Sequence, residues 1–448
     1  MSHDKTYQAY KNSGVEWLGR VPEHWVTKKL LYWISGYGSG TTPSKEDEYS
    51  ADGLPWVTTG ELRENTVSST EKCVTQDALK NNSALKLHPA GSLVIAMYGA
   101  TVGRLGVLGV NATLNQACFA IHPSEKVRIP FLRNWFEGFR NELLALATGA
   151  GQPNISGDKI RNLLLPCPED LSEQLAIITH LDRETARIDA LVEKKTRFIE
   201  LLREKRQALI THAVTKGLDP SAKMKESGVE WLGEVPEHWD VSPVRYAVKA
   251  QAGAIKTGPF GSQLTASEML GGYHKVYNQK NVIEGDLSSG DNYISDEKFS
   301  QLSSFRVFPG DVLVTTRGTI GRVCVAPDDI ELGILHPCLM RVQLDEAKMK
   351  NEFFATLLGE SHILQSQISY LSNASTIEVI YSETMASLVV PIPPLNEQRS
   401  ILYFIQTHAS KLDSLIRTSE RSIVLLKERR SALITAAVTG QIDLREAV

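Results

Sequence analysis

Nothing in this 448-residue chain approaches the roughly 18 consecutive apolar residues that a membrane span needs, so no membrane association is expected. The first twelve residues, Met1 to Asn12, are polar and lack a signal-peptide core. The five cysteines (Cys73, Cys118, Cys167, Cys324 and Cys338) are scattered, odd in number and form no Cys-x-x-Cys pair. That pattern argues against both a disulfide framework and a zinc knuckle, and fits a reducing cytoplasm. Excess positive charge is missing too. The net charge is −4, so phosphate binding would require basic residues to be segregated onto particular surfaces. No phosphate loop of the form G-x-x-x-x-G-K-[ST] and no H-E-x-x-H helix occurs. The Asn/Asp-Pro-Pro-aromatic motif of amino-methyltransferases is also missing. A self-contained nucleotidase, metallohydrolase or methyltransferase is therefore not expected.

What the chain does have is an internal duplication. Ser13–Trp25 reads Ser-Gly-Val-Glu-Trp-Leu-Gly-Arg-Val-Pro-Glu-His-Trp, and Ser227–Trp239 repeats it with only Arg20 exchanged for Glu234. A second pair of matching segments, Ala186–Asp219 and Ser410–Asp443, closes each half. Between these constant frames the halves diverge. One large unit has been duplicated once, so a single chain can mimic a symmetric dimer. The repeated Glu-His pairs, Glu23-His24 and Glu237-His238, sit between tryptophans, which favours packing over acid–base chemistry.

Apolar residues in the closing segments alternate at spacings of three and four, the signature of heptad packing. The stripe includes Ile188, Val192, Ile199, Leu202 and Leu209 in the first copy, and Leu412, Ile416, Ile423, Leu426 and Leu433 in the second. Lys195, Ser419, Arg206 and Arg430 are polar interruptions of this seam. Pro166-Cys167-Pro168 and Pro391-Ile392-Pro393-Pro394 end the preceding elements. Ser172 and Asn396 are the expected N-caps, with Gly217 and Gly440 near the far ends. Helices of about 40 residues would span about 60 Å.

The inserts mix strand and helix patterns, an α+β class. Leu93–Met97 and Val312–Val314 read as buried strands, each followed by a glycine turn ending in Gly103-Arg104 or Gly321-Arg322. Polar loops supply groups suited to phosphate and base-edge contacts. In the first insert the candidates are Thr41, Thr42, Ser44, Lys45, Arg104, Gln152, Asn154, Ser156 and Lys159. In the second they are Lys256, Ser262, Gln263, Arg317, Arg322 and Ser375, with Ser372–Thr376 taken as the counterpart of the Gly149–Ser156 run.

Together, Trp-Leu-Gly-x-Val-Pro-x-His-Trp, the Gly40-Thr-Thr-Pro-Ser and Thr257-Gly-Pro-Phe-Gly-Ser loops, Gly99-x-x-x-Gly-Arg104 and Pro391-x-Pro-Pro-Leu-x-Glu-Gln398 resemble the specificity subunit of type I restriction-modification systems. The resemblance runs from Val15 to Asp443. It implies two α/β target-recognition domains separated by two long helices that pair as an antiparallel coiled coil with pseudo-two-fold symmetry. The expected boundaries are an N-terminal conserved segment at 1–25, a first recognition domain at 26–168 and a helical region at 169–219. A linker at 220–239 carries the repeated signature, followed by a second recognition domain at 240–394 and a second helical region at 395–448.

By the same resemblance, each domain reads one half of a bipartite, asymmetric site in double-stranded DNA. The helices would set the spacing and dock two modification (methyltransferase) subunits, and motor-endonuclease restriction subunits would join the complex. The chain itself would be non-catalytic and would bind no cofactor or metal. S-adenosylmethionine, ATP and Mg2+ would belong to the partner subunits. Near-neutral charge and long heptads also fit a different class, a coiled-coil adaptor or assembly protein with two ligand-binding modules and no DNA role.

Overall fold

A computed structural model describes residues 5–148, 153–372 and 379–446. Of the candidate contacts, Gln152 and Ser375 lie outside these residues. The chain divides into two units: Met1–Thr196 with Arg421–Val448, and Arg197–Glu420. Each unit therefore joins one insert to part of both long helices.

The first insert holds two sheets. One runs in the order Tyr37–Ser39, Cys118–Ile121, Leu93–Ala96, Leu105–Leu108, Asn65–Val67. The other runs Cys73–Val74, Tyr49–Val57, Ala112–Leu114, Leu87–His88. The second insert repeats this plan, with four strands rather than five in the first sheet among the described residues. Ile255–Thr257, Leu339–Val342, Val312–Thr315 and Val323–Val325 form one sheet. Tyr293–Ile294, His274–Tyr277, Gly333–Leu335 and Arg306–Val307 form the other. The continuous apolar runs at Leu93–Ala96 and Val312–Thr315 are central strands, buried at every position, as expected for strands covered on both faces.

Each insert leaves and returns at one point. Val26–Lys29 pairs antiparallel with Leu164–Cys167, and Asp240–Pro243 pairs with Val389–Ile392. The prolines of these closing strands then give way to the long helices Leu171–Lys216 and Leu395–Val438, of 46 and 44 residues. Both helices start one residue before the expected caps, so Ser172 and Asn396 lie inside the first turn. Asp170 caps the first helix, accepting from the backbone N–H of Ser172 at 2.8 Å. Its carboxyl is held below the usual range by hydrogen bonds from the Ser172 hydroxyl and N–H. At the second helix the Pro394 carbonyl accepts from Gln398 N at 3.0 Å. Proline, which has no N–H to lose at a helix start, takes the position expected of Asn396.

The helices pair antiparallel. Within the second unit Arg203 bonds Glu420 at 2.8 Å and Arg206 bonds Asp413 at 2.8 Å, so rising numbers on one helix meet falling numbers on the other. In the seam, Ile188, Ile199, Leu202, Leu412 and Ile416 are buried. Val192, Leu209, Ile423, Leu426 and Leu433 are half-buried. The two arginine interruptions act as clamps. Arg206 also reaches Glu360 at 2.7 Å, at the end of the insert helix Asn351–Glu360. In the first unit Arg430 reaches Asp189 at 3.0 Å and Glu137, on the insert helix Ile129–Gly138. Each clamp ties an insert to the helix pair.

The repeated tryptophan signature anchors to the first turn of each helix. Trp25 donates its indole N–H to Glu173 at 2.8 Å, and His24 meets the same carboxylate at 2.9 Å. Trp239 and His238 meet Glu397 at 2.9 and 2.7 Å. The neighbouring glutamines stitch the insert to the helix start. Gln174 donates to the carbonyls of Lys126 and Pro168, and Gln398 donates to those of Lys348 and Pro393. Gly217 and Gly440 adopt positive φ beside Trp239 and Trp25, where the tryptophan side chain lies 3.2 and 3.3 Å from the position of a Cβ. The shared motifs are thus largely consumed by internal contacts.

Candidate nucleic-acid interface

In the first insert the two candidate loops converge. A groove of about 580 Å³ is lined by Tyr37–Gly40, Lys86, Tyr98, Gln116 and Ser156–Asp158, among others. Its floor is held by backbone contacts. Ile155 N donates to Met97 O at 2.9 Å, Gly99 N to Pro153 O at 3.0 Å, and Asn154 and Thr148 exchange two bonds at 3.0 Å. Gly40 passes so close to the Leu114 carbonyl that a Cβ would sit 1.6 Å from it, and only glycine avoids that overlap.

Several candidates prove to be holders. Thr41 accepts the Trp56 indole N–H on its carbonyl at 3.0 Å. The Thr42 hydroxyl donates to the Gln116 side-chain carbonyl at 2.6 Å. The backbone N–H groups of Ser44 and Lys45 both donate to Glu48, leaving their side chains exposed. Ser156 caps the helix Gly157–Arg161 by accepting from Lys159 N, and the Lys159 ammonium donates to Leu146 O at 2.8 Å. Arg104 is half-buried at the end of its glycine turn. Asn154 keeps a buried side-chain oxygen without a partner.

Behind the groove, His88 packs against His122 with ring nitrogens 3.0 Å apart. Burial, then the neighbouring His122 and Lys86, push the pKa of His88 down to about 4. The imidazole is therefore neutral and adds no charge beneath the groove at neutral pH.

The second insert builds the same turns from other residues. Ile380 N donates to Thr316 O at 3.0 Å, in the role of Ile155 and Met97. Hence Tyr381 and Ser382 stand where Ser156 and Gly157 stand, while residues 373–376 of the Ser372–Thr376 run lie outside the described residues. Asn115 and His336 likewise share a role: their side chains accept from the backbone N–H two residues on, at 3.1 and 3.2 Å.

Lys256 is half-buried, its ammonium 4.9 Å from the centre of the Phe305 ring. Gln263 shapes its own turn by accepting from Phe260 N at 3.0 Å, and Ser262 is exposed. Further along this loop, a hydrogen bond from Lys298 and bonds from Thr265 hold the Glu268 carboxyl down to about 2. Arg317 and Arg322 are both exposed, with no side-chain ion pair among the described residues. The Arg317 carbonyl accepts from the Gln279 amide at 2.8 Å.

Tyr98, Gln116, Phe305 and Tyr381 escaped the sequence reading. Tyr98 immediately precedes a Gly-x-x-x-Gly-Arg turn, as the candidate Arg317 precedes Gly-x-x-Gly-Arg, a signal that could have found it. Gln116 has no local signature. Among the described residues, no group of three or more His, Cys, Asp or Glu is placed to hold a metal, and no helix is long and apolar enough to cross a membrane.

Known proteins agree with this layout. The family described as the type I restriction modification DNA specificity domain matches residues 22–201 and again 271–423. The type I restriction enzyme MjaVIII specificity subunit of Methanocaldococcus jannaschii is 21% identical over 433 residues, covering 95% of each chain. The EcoR124I/EcoR124II specificity subunit of Escherichia coli is 27% identical over 201 residues, 43% of this chain and 46% of that one. Among solved structures, one described as the structural basis of complex assembly and conformational transition of the type I R-M system aligns with a TM-score of 0.74. It is 16% identical and covers 94% of this chain and 99% of that one. The HsdS subunit of Thermoanaerobacter tengcongensis aligns at 0.55, also 16% identical, over 94% and 98% of the two chains. The adaptor reading accounts for neither the doubled match nor the doubled sheet plan. The chain belongs to the type I restriction-modification DNA specificity family, as a specificity subunit with two recognition domains.

Proposed function

We propose that each recognition domain reads one half of a bipartite, asymmetric site in double-stranded DNA, and that the paired helices fix the half-sites as one target. A single observation carries this reading. The two inserts share a strand order and the same anchoring turns, yet line the corresponding groove positions with different side chains. One framework with two unlike linings is what reading two unlike half-sites requires.

The chain itself is non-catalytic. Two modification subunits dock on the repeated frame and carry S-adenosylmethionine. Restriction subunits carry ATP and Mg2+, and the complex works in the cytoplasm. The near-identical frames support one kind of partner bound twice. The modest negative charge is compatible with DNA binding when cations are segregated onto the recognition domains, where Lys86 lines the first groove and Arg317 and Arg322 are exposed.

The test is to exchange residues 26–165 for those of another family member and map the modified adenines. One half-site should change while the other persists. If both half-sites persist, or both change, the assignment of one domain to one half-site is wrong.

A further inference from the structure

The strand registers match the wall positions of the first groove one to one with positions of the second insert, and those positions define the corresponding surface there, its second groove. Gly38 pairs with Ala120 across the first sheet, and Lys256 pairs with Arg341 in the equivalent strands. Lys86 precedes the edge strand Leu87–His88, as Phe305 precedes Arg306–Val307. The first groove thus takes its lysine from one wall, opposite a glycine. The second takes it from the other wall, opposite a phenylalanine on which the ammonium rests. One cation is kept while its origin is exchanged. At the remaining positions Tyr98 becomes Arg317, Gln116 becomes Pro337 and Ser156 becomes Tyr381. Tyr98 is 41% exposed and Tyr381 56%.

We propose that Gln116 in the first groove and Arg317 in the second are specificity-determining residues, each reading one base, with Thr42 and Gln279 as their positioning residues. This rests on the DNA-reading function proposed above.

The chemistry follows from the bonds already made. The Thr42 hydroxyl occupies one lone pair of the Gln116 carbonyl and fixes the amide plane. The exposed Gln116 amide then offers its N–H donors to an acceptor on a base edge. Arg317 sits on a turn pinned on both sides, by its bridge to Val379 and by the Gln279 amide on its carbonyl. Its guanidinium is exposed and forms no ion pair among the described residues. A guanidinium without an ion pair, carried on a pinned turn, can present its fork to the two acceptors of guanine in the major groove. Tyr98 and Tyr381 flank the readers with apolar faces and hydroxyl tips.

The experiment uses the full chain assembled with its modification subunits. Modified sites are mapped for wild type, Arg317→Ala, Arg317→Lys, Gln116→Ala and Thr42→Val, with melting temperatures recorded for each. Arg317→Ala should relax one guanine position in the second half-site by about 10- to 100-fold in discrimination, the loss expected of one bidentate contact. The first half-site should stay intact. Lysine should restore affinity but not the discrimination, because it lacks the fork. Gln116→Ala, and more weakly Thr42→Val, should relax one position of the first half-site only. Folded variants that keep the wild-type target, or that lose modification uniformly at every position, would overturn the proposal. Wild-type protein without any sequence-dependent modification would instead overturn the function on which it rests.

Discussion

Two glutamates in equivalent positions show how context sets the weight of a residue. Glu173 accepts from Trp25, His24 and the Tyr7 hydroxyl, the last at 2.8 Å, and its side chain is 4% exposed. Glu397 accepts from Trp239 and His238 and is 34% exposed. Burial and the adjacent carboxylate push the Tyr7 phenol well above its ordinary range, so it remains a donor. Removing Glu173 leaves buried donors that water cannot reach, whereas removing Glu397 lets water in. Glu173→Ala should therefore cost about 2–4 kcal/mol and Glu397→Ala about 1 kcal/mol, read as shifts of the denaturant midpoint. Equal losses would show that the third donor and the deeper burial are immaterial. The partners of both glutamates lie about 150 residues away and could not be inferred from local pattern.

Among elements, the long helices were the most legible, because heptad spacing is a local and strongly periodic signal. The central strands were legible as continuous apolar runs. The helix caps were misplaced by two residues, since Asp170 and Pro394 can both end a loop and the sequence does not say which residue caps. The groove was legible only in part. Its loops were found, but Tyr98, Gln116, Phe305 and Tyr381 were passed over, while several conspicuous polar residues, Thr42 and Ser156 among them, are spent on holding the loops. Arginines 206 and 430, read as seam interruptions, connect elements. Arg206→Ala should free the insert helix Asn351–Glu360 from the helix pair, at about 1 kcal/mol given the partial exposure of the partners. Hydrogen exchange should quicken along 351–360 and 395–420 and remain unchanged at Ile129–Gly138, which Arg430 holds. Quickening in both inserts would mean that the clamps are not independent.

At the scale of the molecule, sequence order and structural units part company. The core of the first unit contains Ile434, Ala437, Val438, Ile442 and Leu444 alongside Trp25, Phe131, Trp135 and Ile177. The core of the second combines Ile210, Ala213 and Val214 with Trp239, Phe353 and Ile401, all within Arg197–Glu420. Truncation after Glu420 should accordingly strip protection from the first insert and leave the second nearly as stable as before, measured by hydrogen exchange. Equal stability of both inserts in the truncated chain would deny that the closing helix completes the first core. The arrangement also bears on biogenesis. On the ribosome the second unit can close as soon as its own stretch has emerged, but the first must wait for Arg421–Val448, which is translated after it. At roughly 5–20 residues per second, translating Arg197–Glu420 keeps it waiting on the order of 10–45 seconds. Through that interval the unfinished apolar surface around Trp25 and Phe131 is open to chaperones or to a neighbouring nascent chain, so the lobe translated first is the one finished last.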